Sequence, residues 1–203
     1  MDSIGGNFMS NEKRRKQTQN LVLGAILTAL VIVLQFMGAF IKFGPFSVSL
    51  VLLPIVLGAA TCSTAISSWL GFVFGMVVLI SGDAAPFWAI DVFGTILTVL
   101  VKGTACGLVA GLVYNSLKKF NRYVAVIASA IICPIVNTGV FLLGCSVFFL
   151  DEVSNWGIAG GFSSTIAYVF LGLVGANFLF ELGTNVVLSP VIVRLINIFK
   201  KEI

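Results

Sequence analysis

Apolar residues run through this 203-residue chain in long blocks rather than in strict alternation. An α-helix needs about 20 predominantly apolar residues, rising about 1.5 Å each, to cross a hydrocarbon core about 30 Å thick. Residues 21–41 form one such block, and residues 48–81, 91–114, 123–150 and 163–199 form the others. The first is entered through Lys13-Arg14-Arg15-Lys16 and is followed by no small-residue cleavage pattern. It is longer than the 7–15-residue apolar core of a signal peptide, so it reads as a retained span.

Charge resolves the blocks of ambiguous length, because basic residues collect in cytoplasmic loops. The N-terminal cluster, the trio Lys118, Lys119 and Arg122, and the trio Arg194, Lys200 and Lys201 hold 10 of the 12 basic residues. The segments between them carry Asp83 and Asp91, then Asp151 and Glu152. With both termini and the Lys118–Arg122 loop inside, an odd number of spans must separate Lys16 from Asp83. The block 48–81 is therefore expected to be a tight hairpin of two spans turning near Gly58 to Ser63. The same parity makes 163–199 a single span with length to spare for a surface helix. The expected fold is an all-α membrane protein: six transmembrane helices in a single bundle, with both termini cytoplasmic. Residues 1–20 are a basic tail, 21–199 the transmembrane domain and 200–203 a short tail.

Composition agrees. The chain is 59% hydrophobic and 10% charged, with a mean hydropathy of +1.10, whereas soluble domains carry about 45–50% apolar and about 25% charged residues. A water-soluble globule and a disordered chain are both excluded. The absence of histidine removes a His general base, a Ser–His dyad and an imidazole metal ligand. Cys62, Cys106, Cys133 and Cys145 show no C-x-x-C spacing and read as small buried hydrophobes. No catalytic residue, metal site, cofactor or nucleic-acid partner is called for; the partner every span implies is the lipid bilayer.

The expected outer loops mix Gly/Pro turns with aromatics and acids: residues 41–46, 81–88 and 151–162. Trp88 and Trp156 there fit either an interfacial aromatic belt or a lid over a ligand. The inner loops are short and plain, which points to an outward working face.

A charge within the bilayer costs from about 2.5 to more than 10 kcal/mol, so each such residue is a site candidate with a partner to be named. Lys102 and Glu181 qualify. Lys102 lies 16 residues before Lys118, about 24 Å along a helix, and Glu181 lies 13 before Arg194, about 20 Å. Asn137 lies 15 after Arg122, about 22 Å. Three helices thus place their strongest polar group at one level in the outer half of the membrane. Asn177, Glu181 and Asn185 repeat every four residues, a stripe on one helical face. Asn137 follows Pro134, whose ring frees a backbone carbonyl, and Gln35 on the first span reaches the same depth. Two readings stay open: a Lys102–Glu181 pair with asparagines as interhelical glue, or a binding cavity for a polar small molecule.

Gly103-x-x-x-Gly107-x-x-x-Gly111 and Gly71-x-x-x-Gly75 let backbones approach closely and read as bundle packing. Ala25-x-x-x-Ala29, beside Gly24 and Thr28, gives a smooth patch near the basic end of the first span, suited to docking another membrane protein.

These features together resemble the substrate-binding S component of energy-coupling factor (ECF) vitamin transporters. The stretches Gly44-Pro45-Phe46-Ser47-Val48-Ser49-Leu50, Ser81-Gly82-Asp83-Ala84-Ala85-Pro86-Phe87, Cys133-Pro134-Ile135-Val136-Asn137-Thr138-Gly139 and Asn177-Phe178-Leu179-Phe180-Glu181-Leu182 look like the folate-, pantothenate- and riboflavin-type branch. The resemblance spans residues 21–198. It implies a plasma-membrane, multi-pass subunit that binds one water-soluble vitamin or related micronutrient near the outer surface. It further implies docking through Ala25 and Ala29 onto a transmembrane T component driven by two cytoplasmic ATPases. The chain has no G-x-x-x-x-G-K-[ST] loop to hydrolyse ATP itself. The rival reading is a self-sufficient ion-coupled carrier using Glu181 and Lys102. Lys102 favours a carboxylate or phosphate on the ligand, and abundant Phe and Trp allow ring stacking. Pantothenate offers the first, riboflavin the second and folate both, so the substrate stays open.

Overall fold

The computed structural model describes residues 3–39, 42–43, 46–47 and 50–201, with side chains over 14–38, 50–175 and 177–194. In chain order the elements are α1 (Ser3–Ala39), a two-stranded antiparallel ribbon of β1 (Lys42–Phe43) and β2 (Phe46–Ser47), α2 (Leu52–Thr61), α3 (Thr64–Ser81), α4 (Ala85–Trp88), α5 (Val92–Leu117), α6 (Arg122–Phe148), α7 (Leu150–Ala159), α8 (Thr165–Ala167), a π-helical turn (Tyr168–Leu173) and α9 (Gly175–Lys201). Four stretches are long and apolar enough to cross a membrane: Arg14–Gly38, Thr64–Ser81, Val92–Leu117 and Arg122–Phe148. Thr165–Leu173 and Asn177–Arg194, bent 42° at a short break, make a fifth when counted as one span.

The expected six spans are met in part. The hairpin is there, with its turn at Cys62 and Ser63, and the Ser67 hydroxyl donates across it to the Ile55 carbonyl at 3.1 Å. But its first arm, α2, has 10 residues, about 15 Å, half a hydrocarbon core. Val48 and Ser49, where that arm was expected to begin, lie outside the described residues, as do Ile41, Gly44 and Pro45 of the first outer loop. Two further elements differ from expectation. The basic tail is not separate from the first span, because α1 runs unbroken from Ser3. The segment 151–162, expected as a loop, is largely the helix α7, with Asp151 and Glu152 in its first turn, where the helix dipole favours negative charge.

Local chemistry explains where the helices start. Ser63, Asp91, Asn121 and Ser164 cap α3, α5, α6 and α8: each side chain accepts a backbone N–H of the first turn, as in Phe93 N to Asp91 Oδ1 at 2.9 Å and Tyr123 N to Asn121 Oδ1 at 2.8 Å. Gly82 ends α3 at φ 88°, a left-handed position that glycine takes without strain. Several hydroxyls inside the spans bond back to the carbonyl four residues earlier, as Thr28 to Gly24 and Thr104 to Leu100, both at 2.7 Å, and so are satisfied within their own helix.

The tightest joint is between α3 and α5. A Cβ on Gly71 would sit 2.0 Å from the Gly103 carbonyl oxygen, and one on Gly107 would sit 2.2 Å from that of Ser67. The two glycine rows face each other, and the backbones meet without intervening side chains. The buried Ser67 hydroxyl also donates to Gly107 O at 2.8 Å, and Ser129 on α6 donates to Ala110 O of α5 at 3.0 Å. α1 contributes one face: Gly24, Leu27, Val31, Gln35 and Gly38 are buried, while Ala25, Ala29, Ile26 and Val33 are exposed. Exposed Phe93, Val147 and Val187 clothe the rest of the bundle as a lipid-facing surface requires.

The helix ends sort into two groups. Gly24 lies against Ile66, and Asn115 Nδ2 donates to Thr64 Oγ1 at 2.6 Å, so the start of the apolar part of α1, the α2–α3 turn and the α5–α6 turn share one end. At the other end Gln35 reaches Asp83. A Gly71→Ala substitution is expected to cost about 3 kcal/mol through overpacking against the Gly103 carbonyl. It should lower the melting temperature in detergent, whereas Gly183→Ala, with nothing within 4 Å of the added carbon, should leave it nearly unchanged.

A polar cavity between the spans

The α3–α5 joint places two residues side by side at the far end of the bundle. Phe74 adjoins Gly75 and Lys102 adjoins Gly103, so close backbone contact brings the Lys102 ammonium to 5.7 Å from the Phe74 ring centroid. Phe141, one turn beyond Asn137 on α6, completes the clamp, its centroid 5.1 Å from the same nitrogen. A cation held against aromatic faces keeps part of the stabilisation it loses on leaving water.

Around this ammonium lies a half-enclosed cavity of about 700 Å³, counting the open space at its mouth. α1 supplies Gln35; α3 supplies Phe74 and Val78; the turn after it supplies Asp83, Ala84 and Phe87. α5 supplies Val99 and Lys102, and α6 supplies Asn137, Thr138 and Phe141. The bent last span supplies Leu173, Val174, Asn177, Phe178 and Glu181. The break of that span thus falls at the cavity wall, where irregular backbone is tolerated inside a membrane protein. A Cβ at Gly175 would come within 2.2 Å of the Phe170 carbonyl, so the bend needs glycine there.

Of the residues singled out from sequence, Gln35, Lys102, Asn137, Asn177 and Glu181 come together on this one cavity. Glu181 and Asp83 are the two carboxylates that share this lining with Lys102. Asn185 is buried one turn further along α9, donating to the Glu181 carbonyl at 2.8 Å, and does not line the cavity. Neither of these two tryptophans lines it: Trp88 packs against the main core, and Trp156 meets Phe87 edge-on with centroids 5.6 Å apart. Ala25 and Ala29 lie on the exposed face of α1.

Several wall residues escaped the sequence reading. Asp83 looked like an ordinary loop acid, yet its Oδ2 accepts from Gln35 Nε2 at 2.6 Å and from Ser81 Oγ at 3.3 Å, tying the α3–α4 turn to the first span. Phe87, not its neighbour Trp88, turns inward. It is buried, contacts Phe141 edge-on at 5.5 Å and lies 5.0 Å from Phe149, and it closes one side of the cavity. The spacing of Phe141 and Phe178, in helical phase with Asn137 and Glu181, was the available signal for the aromatic walls.

Electrically the lining holds one ammonium and two carboxylates, a formal charge of −1. The carbonyl oxygens of Gln35 and Asn137, both buried, accept no hydrogen bond among the described residues. Such a set can hold a polar, flat molecule by hydrogen bonds and ring contact; nothing in it forms a nucleophile–base pair. Removing the inward aromatic by Phe87→Ala is expected to destabilise the fold by about 3 kcal/mol, read as a lower melting temperature, with exposed Phe93→Ala nearly silent.

The sequence model of the family described as ECF transporter, substrate-specific component, matches residues 19–193. No curated protein and no solved structure matches the chain.

Proposed function

The chain belongs to the ECF transporter substrate-specific component family, and on that premise we propose that it captures one water-soluble vitamin or related micronutrient in the cavity around Lys102. It is an integral, multi-pass membrane protein and a transporter subunit rather than an enzyme. The family's role implies a small-molecule substrate and association with a transmembrane T component and ATPases.

The single observation that carries the reading is convergence. Polar groups from α1, α5, α6 and α9, costly to hold in lipid one by one, meet in one space walled by aromatic rings. In this reading Lys102 and Glu181 hold polar ends of the ligand, Asn137, Asn177 and Gln35 orient it, and Phe74, Phe87, Phe141 and Phe178 enclose its ring. The cavity opens outward at the plasma membrane. The opposite end of the bundle, with the basic residues near its helix ends and the Asn115–Thr64 contact, faces the cytoplasm, together with both termini. Docking uses the smooth patch of Ala25 and Ala29, exposed on α1 and backed by the buried stripe that fixes the helix to α2 and α3.

Four measurements test this. Native mass spectrometry of the purified protein should find one retained small molecule per chain. Reconstituted alone, the chain should show no sustained uptake of that molecule; uptake should require the T component, the ATPases and ATP. Uphill transport by the lone chain on an ion gradient would overturn the reading. Lys102→Ala or Glu181→Ala should each weaken ligand binding about tenfold or more, the loss of a charged hydrogen bond of about 1.5–3 kcal/mol. By contrast, Ala25→Trp should abolish co-purification with the T component and leave ligand affinity nearly intact.

A further inference from the structure

We propose that the cavity selects a flat aromatic or heteroaromatic ligand bearing a cationic, N–H-rich group, and that Asp83 with Gln35 is the pair that reads it. The inference rests on the cavity being the substrate site and names the class of molecule it takes.

Charge is the first argument. Lys102 draws attention as the lone ammonium in the lining and taken by itself calls for an anion. With Asp83 on the wall the sum reverses: two carboxylates against one cation. Lys102 lies against the rings of Phe74 and Phe141. Asp83 is held by the Gln35 amide and the Ser81 hydroxyl, both neutral donors. An anionic ligand would raise the formal charge of a poorly solvated space to −2; a cationic one brings it to zero.

Hydrogen bonding gives a second, independent argument. A carboxylate only accepts, so the Gln35 amide can sit one way round: Nε2 toward Asp83 Oδ2, at 2.6 Å. That fixes Oε1 as a buried acceptor, and Gln35 is 1% exposed with no donor to this oxygen among the described residues. Asn137 Oδ1, on the cavity's other side, is in the same position. Unmet buried acceptors are costly, and a ligand rich in N–H groups supplies what they lack. The ring is specified by the walls, where Phe74, Phe87, Phe141 and Phe178 offer faces and edges to a planar cation.

Three molecules of nearly one shape separate the possibilities: benzamidinium (cation with N–H donors), benzamide (neutral) and benzoate (anion). Their affinities for the full-length protein, stripped of co-purified ligand in detergent, can be measured by calorimetry. Benzamidinium should bind at least tenfold more tightly than benzoate, with benzamide between. Asp83→Asn should reduce benzamidinium binding at least tenfold and narrow its lead over benzamide; Gln35→Met should weaken benzamidinium and benzamide together. Benzoate binding as well as or better than benzamidinium in the unmutated protein, or no binding by any of the three, overturns the proposal. The wild-type ranking decides even where a variant does not fold. The ranking also stands apart from the transport reading. An anionic retained vitamin with ATP-dependent uptake would sink this inference and leave the S-component function standing. Benzamidinium preference without uptake in the complete complex would do the reverse.

Discussion

Everything at the cavity end of the molecule depends on two helix backbones touching. Where α3 and α5 cross, the carbonyl of Gly103 lies where any side chain on Gly71 would have to go, and the carbonyl of Ser67 does the same to Gly107. In lipid no hydrophobic effect drives helices together, so close packing and interhelical hydrogen bonds must do it; Ser67 donating to both Ile55 and Gly107 adds that second element. The pair then acts as a rigid keel. Phe74 directly precedes Gly75 and Lys102 directly precedes Gly103, which is why an ammonium within a membrane span finds an aromatic face beside it.

Much of this was legible in the sequence, and the part that was not has physical reasons. Apolar block length gave α1, α3, α5 and α6, because a membrane imposes a length that no loop satisfies. The glycine rows foretold a close seam, and the structure supplies the partners. Lys102, Asn137 and Glu181 could be placed at one depth because helical rise converts residue number into distance, and Asn177 followed from its four-residue spacing to Glu181. What sequence did not reveal was direction. Asp83 sits just past a helix end, where a side chain can point to water or back into the bundle, and only its bond to Gln35 decides. The same holds for Phe87 and Trp88: on a helix as short as α4, nothing in the pattern says that Phe87 lines the cavity while Trp88 packs against the main core. Ala25 and Ala29 needed only the periodicity of α1, whose buried stripe of Gly24, Leu27, Val31 and Gln35 leaves them outside.

The last span shows why an unbroken hydropathy block can conceal a broken element. Residues 163–199 read as a single span with length to spare for a surface helix, and Thr165–Leu173 and Asn177–Arg194 meet at 42° with a π-helical turn before the join. Hydropathy records only that the segment lies in lipid. The bend arises where Leu173, Val174 and Asn177 must all turn toward a cavity, and π-turns are common at such places because an extra residue per turn shifts the face presented.

The first helix has an unusual placement. Ala25 and Ala29 lie on its outer side, while Gln35, about three turns along the same rod, grips the acid at the cavity wall. No joint intervenes over Arg14–Gly38. A rotation or tilt imposed at the alanine patch would therefore be carried along the rod to the Gln35 amide beside Asp83. If the patch docks a partner and the cavity holds cargo, as proposed above, thermodynamic linkage would make the relation reciprocal: by whatever factor the partner loosens the grip on cargo, the cargo loosens the grip of the partner. Loading and release would then be two readings of one lever.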